Sequence, residues 1–266
     1  MGGAVSTPTL FAKKPNLITI GSATALAAPD GSLQPNPATN NNPCKEGSLT
    51  FIHFNDVYNV EGLGKKKGGA ARFVAAVNRC RSEALERGEA DPLCLFSGDC
   101  FNPSIMSTVV RGEQMPLVLN AAGVTAGCLG NHDFDHGPER LGELVAMCRF
   151  PWLLSNATLK RSGTSVGGSD DDGGSAAYAA AAGAGGGSCV PLARGARPYV
   201  IVERGGRRIG LVGLIEEEWL LTLVGLKRDD ISFEASSDIC AACHMPVRHT
   251  FVQLWTLLPH SGQLVK

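Results

Sequence analysis

Short apolar runs separated by polar turns and by amphipathic stretches set the pattern of this chain. Leu49-Thr50-Phe51-Ile52-His53-Phe54 predicts a strand closed by Asn55-Asp56, and order is expected to begin at Ser48. Ala70 to Leu85 predicts an amphipathic helix, with Phe73, Val74 and Val77 on one face and Arg72, Arg79, Arg81 and Glu83 elsewhere. Leu93-Cys94-Leu95-Phe96 predicts a second strand that ends in Ser97-Gly98-Asp99. A helix over Ser107 to Leu119, interrupted near Pro116, precedes a third strand over Val124 to Leu129. Pro138 to Met147 reads as a helix, and Trp152 to Leu154 as a strand ending at Ser155-Asn156. Tyr199 to Val202 and Ile209 to Leu214, joined through Gly205-Gly206, read as a hairpin. Alternation of strand and helix predicts βαβ units and an α/β layered fold.

The pattern also divides the chain. Residues 1–47 are expected to be a disordered N-terminal segment, its last part (29–47) a Pro- and Asn-rich linker. Residues 48–222 form the folded domain, with a Ser-, Gly- and Ala-rich low-complexity insertion at 161–197. Residues 223–266 match neither a helical nor a strand period and are expected to be a divergent, poorly ordered tail.

Composition narrows the classes of function. The chain has 266 residues, is 44% hydrophobic and carries a net charge of −1, so a sizeable core is available and no nucleic-acid polymer is implied as a partner. Nine scattered cysteines fit a reducing, cytoplasmic compartment better than a disulfide framework. The start Met1-Gly2-Gly3-Ala4-Val5-Ser6 fits the N-myristoylation pattern, with Lys13 and Lys14 as a weak second membrane signal. Lys13 to Ala28 also has the outline of a weak secretory signal, which Pro15 and Gly21 interrupt.

Candidate chemistry collects at strand ends. In an open α/β sheet, ligands bind beyond the carboxyl edge of the strands. Three successive strands deliver Asp56, Asp99 and Asn131 there, and His132 and Asp135 follow the third. An amide oxygen coordinates a hard or borderline cation, and an imidazole titrates near neutral pH. A carboxylate three residues further on holds that imidazole in one tautomer. Any single such turn reads equally well as an Asn/Asp-rich cap; three in succession do not.

These residues resemble the calcineurin-like metallophosphoesterases, and among them the 5′-nucleotidase family. The resemblance rests on Asn55-Asp56-Val57-Tyr58, on Gly98-Asp99 and on Gly130-Asn131-His132-Asp133-Phe134-Asp135. It is supported by Ser155-Asn156-Ala157 and by the segment Ile209 to Leu214, and it covers roughly residues 48–160 and 197–222. It implies a layered α/β/β/α sandwich, incomplete here at the C-terminus. It further implies two divalent metal ions (Zn, Mn, Mg or Fe) and hydrolysis of a phosphorylated small molecule such as a nucleoside 5′-monophosphate. By the same resemblance Asp56 and Tyr58 lie at the first metal and Asp99 bridges the two. Asn131 would ligate the second metal, and His132, oriented by Asp135, would contact the phosphoryl group or leaving oxygen.

The chain departs from that pattern at two places. Tyr58 stands where the family has His, and a phenol whose ordinary pKa is about 10 is a poor ligand for Zn²⁺ or Mn²⁺. It suits trivalent iron better, or else the first site is modified or absent. The later His ligands of the family have no counterpart after residue 222, so impaired activity, a truncated or misread C-terminus and a non-catalytic remnant acting by binding are all expected readings. Cys240-Ala241-Ala242-Cys243-His244 matches a haem-attachment spacing, and with His249 and His260 it offers zinc ligands, against the plainer reading of an unstructured tail. Lys65-Lys66-Lys67 is either a phosphate-attracting or a merely solvated charge run.

Overall fold

The computed structural model of the chain describes residues 16–20, 49–63, 67–160, 189–235 and 250–256. In chain order the strands and helices begin β1 (Asn16–Ile20), β2 (Leu49–Phe54), β3 (Gly62–Leu63), β4 (Lys67–Gly68) and α1 (Ala70–Glu86). They continue with β5 (Leu93–Phe96), α2 (Ile105–Val110), α3 (Gln114–Ala122), β6 (Ala126–Cys128), α4 (Pro138–Met147), β7 (Trp152–Leu153) and β8 (Ala157–Lys160). The last are β9 (Cys189–Pro191), β10 (Tyr199–Arg204), β11 (Arg207–Ile215), β12 (Ile231–Phe233) and β13 (Thr250–Thr256).

The main sheet has the order β1-β2-β5-β6-β7. Strands β2, β5, β6 and β7 run parallel, so their carboxyl ends share one edge. β2 and β5 are buried along almost their whole length, which is why their sequences read as unbroken apolar runs rather than alternation. α1 buries Phe73 and Val77, one turn apart, and the Phe73 ring meets Phe54 of β2 edge-on at 4.8 Å. α4 starts at Pro138 behind Gly137, whose φ of 86° only glycine adopts readily, and it buries Leu141, Leu144 and Val145.

The second sheet, β10-β11-β13, lies against the first, with β11 packed on β6 and β7. The turn of its hairpin is Gly205-Gly206, both at positive φ (56° and 72°), as a two-residue primed turn requires. A Cβ on Gly213 would stand 2.6 Å from the Leu153 carbonyl oxygen, so the two sheets touch backbone to backbone there. Asn156 fastens the contact: its Nδ2 donates to the Ile215 carbonyl at 3.0 Å and its Oδ1 accepts the Ile215 N–H at 3.1 Å. Asn156→Ala would leave both buried groups unpaired. It is expected to lower stability by about 2 kcal/mol, which an equilibrium urea titration checks.

The layered α/β architecture read from the sequence is the one observed, and after β11 no further α-helix occurs among the described residues. Several boundaries differ. The helical break falls at Arg111-Gly112, where φ is 50° and 85°, and not at Pro116. Pro116 lies in the first turn of α3, where its missing N–H has no partner to lose. β1, inside the segment expected to be disordered, pairs antiparallel with β2 from Asn16↔His53 to Ile20↔Leu49. β9 and the buried Leu192, Ala193 and Ala196 fall within the stretch read as low-complexity. β12 and β13 fall within the expected tail, where β12 pairs with β8 and β13 with β11. The acylation motif at Gly2, Lys65-Lys66, residues 161–188 and the Cys240–His260 motifs lie outside the described residues.

Candidate active site

Backbone hydrogen bonds carry β2 and β5 past their ends as a pair. Asp56 N–H donates to the Gly98 carbonyl and Val57 N–H to the Asp99 carbonyl, each at 3.1 Å. Asp56 is thereby held beside Asp99. Both residues sit in the left-handed region, at φ 55° and 66°. Non-glycine residues seldom pay that strain except where the surroundings fix them, as at ligand clamps. His53 Nε2 and Ser97 Oγ, 2.7 Å apart, add a side-chain tie between the same strands, and burial pushes the His53 imidazole below its ordinary pKa.

The loop after β6 approaches until backbones touch. A Cβ on Gly98 would lie 2.6 Å from the Gly130 nitrogen, and one on Gly130 would lie 2.2 Å from Asp99 Oδ1. Only glycine at both positions allows the two loops to come together. His132 N–H then donates to Asp99 Oδ1 at 2.9 Å, which puts Asn131 and His132 beside the carboxylate. Asp56, Asp99, Asn131, His132 and Asp135 thus converge on the strand-end edge that the sequence indicated.

The fully buried Asp133 organises this junction. Its Oδ1 accepts the N–H groups of Cys100 (2.9 Å) and Phe101 (3.2 Å), and its Oδ2 those of Asp99 (3.0 Å) and Gly130 (2.9 Å). Burial raises its carboxyl, and the N–H donors pull against that. The neighbouring Asp99, 4% exposed, is pushed up to about 7, first by burial and then by the Asp133 charge.

His132 is set for proton chemistry. Its Nδ1 lies 2.9 Å from Asp135 Oδ2. That bond raises the imidazole's affinity for a proton, burial works against it, and the Asp99 charge adds to the rise. At Asp135 burial is outweighed by the hydrogen bonds from His132 and Asn102, which hold the carboxyl below its ordinary value. Asn102 Nδ2 donates to Asp135 Oδ2 at 2.6 Å, and Ser107 Oγ donates to Asn102 Oδ1 at 2.8 Å. Sequence reasoning passed over Asp133 as an organiser and over Asn102 and Ser107. The available signal was Ser104, whose side chain accepts the Ser107 N–H and fixes the start of α2.

Tyr58 is 8% exposed and its ring stands edge-on to His132, with centroids 6.1 Å apart. Its hydroxyl donates to Asp56 Oδ1 at 2.7 Å, and Asn55 Nδ2 donates to Asp56 Oδ2. Burial, then the Asp99 charge and the bond to Asp56, push ionisation of the phenol far above its usual range.

The donors suit a divalent ion at one position. Asn131 is 8% exposed, and its two chain neighbours, Gly130 and His132, both lie against Asp99. An amide and a carboxylate are oxygen donors of the kind Mg²⁺ and Mn²⁺ take. Among the described residues no three His, Cys, Asp or Glu side chains form a metal-holding group.

No protein-family model matches the chain. It is 29% identical over 178 residues to a probable 5′-nucleotidase of Treponema pallidum, a match covering 62% of this chain and 25% of that protein. It is 34% identical over 119 residues to the 5′-nucleotidase of Bos taurus, covering 42% of this chain and 21% of that one. The chain therefore spans at most about a quarter of the length of these relatives. The NAD nucleotidase structure from Haemophilus influenzae superposes with a TM-score of 0.56 at 21% identity, over 78% of this chain and 38% of that one. A 5′-nucleotidase precursor from Thermus thermophilus gives 0.52 at 23%, over 79% and 37%, and both are likenesses of fold. Over about 62% of its length the chain is similar in sequence to a probable 5′-nucleotidase, and it shares the fold of the two nucleotidase structures.

Proposed function

We propose that this strand-end rim belongs to a metal-dependent hydrolase of phosphate monoesters, with nucleoside 5′-monophosphates as the substrate class. The observation that carries the reading is the bond from His132 N–H to Asp99 Oδ1, which seats an Asp135-oriented imidazole beside a buried carboxylate. Relatives that bear the name 5′-nucleotidase support the substrate class. Asp99 and Asn131 would hold a divalent ion, with Asp56 and Tyr58 at the family's first metal position. Such an ion supplies Lewis-acid stabilisation of charge on a phosphoryl oxygen. The chain's own part is to hold and hand over a proton. Asp135 keeps the Nδ1 proton of His132 in place, so Nε2 is the nitrogen that faces the leaving oxygen. Asn102 and Ser107 hold Asp135 in turn.

The test is phosphate release from nucleoside 5′-monophosphates by the purified chain with Mn²⁺, with and without chelator. His132→Ala is expected to lower kcat by about 100-fold or more, the usual scale for a general acid, and Asp99→Asn to abolish the metal dependence. Both variants matching the wild type would refute the reading.

A second reading is favoured by the hydrogen bonds that Asp56 accepts on both oxygens, from Tyr58 and Asn55. In it the fold binds an ion and a phosphate group without turnover. Bound Mn²⁺ together with undetectable phosphate release would select it.

A further inference from the structure

Asp56 is the first metal position's carboxylate by family resemblance, yet in this chain both of its oxygens are engaged from within their own loop. Tyr58 Oη donates to Oδ1 at 2.7 Å, and Asn55 Nδ2 donates to Oδ2. The phenol is buried, wedged between Asp56 and the His132 ring. A cation bound about 2 Å from Oδ1 would have to share that oxygen with the phenol hydroxyl 2.7 Å away. The phenol also turns its proton, not a lone pair, toward Asp56. A His at this position would offer a ring nitrogen lone pair as a ligand instead.

We propose that Tyr58 closes the Asp56 position to a cation, so that the chain takes up a single divalent ion, on Asp99 and Asn131, where the family pattern takes a pair. This rests on the reading that Asp99 and Asn131 hold a divalent ion. Tyr58 then acts as a plug that satisfies Asp56 in the ion's place, and not as a ligand. It also keeps the left-handed Asp56 turn hydrogen bonded with no metal present.

The experiment is calorimetric titration of the chelator-stripped full chain with Mn²⁺, with bound metal confirmed by elemental analysis. Wild type is expected to bind one equivalent and Asp99→Asn none. Tyr58→His is expected to bind two, and the second is expected to vanish in Tyr58→His combined with Asp56→Asn. Two equivalents in the wild type would overturn the plug and leave the Asp99–Asn131 reading standing, as would one equivalent in both wild type and Tyr58→His. No uptake by either would overturn the Asp99–Asn131 reading itself, and the plug with it. Loading the wild type with Fe³⁺ gives a second check. A visible phenolate-to-iron charge-transfer band, lost in Tyr58→Phe, would make Tyr58 a ligand and refute the inference; its absence supports the plug.

Discussion

Asp133→Ala is expected to cost a large share of the stability of the described fold. The carboxylate collects the N–H groups of Asp99, Cys100, Phe101 and Gly130, all at 2.9 to 3.2 Å. Asp133, Cys100 and Phe101 are fully buried and Asp99 nearly so, so water does not reach these donors as the loop stands. A buried donor left without an acceptor costs about 1–3 kcal/mol. Even with partial relaxation, four of them amount to about 4 kcal/mol or more, a large share of a typical domain's 5–15 kcal/mol. Asp133→Asn keeps the volume but presents an NH₂ to two of the N–H donors, so it is expected to fall between alanine and wild type. Urea midpoints at constant slope measure both. A midpoint for Asp133→Ala equal to that of wild type would mean that water replaces the carboxylate freely. The site should fail before the fold does, because Asp99 hangs from the same carboxylate through its own N–H.

Local pattern made much of this legible in advance. Strand-end carboxylates and an amide after apolar runs, with Gly before Asp99 and Asn131, located Asp56, Asp99 and Asn131 on one edge, because parallel strands share their carboxyl end. The spacing of His132 and Asp135 matches the Nδ1···Oδ2 bond of 2.9 Å. α4 was marked at both ends, by Gly137-Pro138 and by the end of its apolar period. What escaped depends on contacts between distant segments. Asp133 looks like one more acidic residue in a turn until the β5 loop supplies three of its donors from more than 30 positions away. Ser107 reads only as a helix start and Asn102 carries no local signal; the fold alone sets Asn102 against Asp135 and Ser107 against Asn102. β1, β9 and β12 are short and polar-flanked, and they become strands because existing edges offer them backbone partners. The break between α2 and α3 was misplaced because Pro116 is the louder local signal, whereas the chain reverses at Arg111-Gly112 through positive φ.

Gly130→Ala is expected to remove the site while leaving the surrounding sheet formed. The added Cβ would stand 2.2 Å from Asp99 Oδ1 and 2.7 Å from both Asp99 Cγ and the Asp99 nitrogen. Asp99 has no room to withdraw. Its N–H is held by Asp133, its carbonyl accepts the Val57 N–H, and its Oδ1 accepts the His132 N–H. A shift large enough to seat the methyl group must break at least one of these bonds. Overpacking of this kind typically costs about 1–3 kcal/mol, and the rigid backbone here argues for the upper end. Gly142→Ala is the matched control. It places the same methyl in α4, 3.1 Å from Arg194 Cβ, where a small give suffices and helix propensity gains about 1 kcal/mol. Circular dichroism of Gly130→Ala should keep the wild-type spectrum at low temperature, with a lowered urea midpoint and Mn²⁺ uptake reduced at least tenfold in affinity. The tenfold corresponds to about 1.4 kcal/mol lost at Asp99, a minimum for a carboxylate displaced by the methyl group. If Gly130→Ala instead binds Mn²⁺ and unfolds as Gly142→Ala does, the loops do not meet backbone to backbone, and the grouping of Asp99 with Asn131 and His132 fails with it.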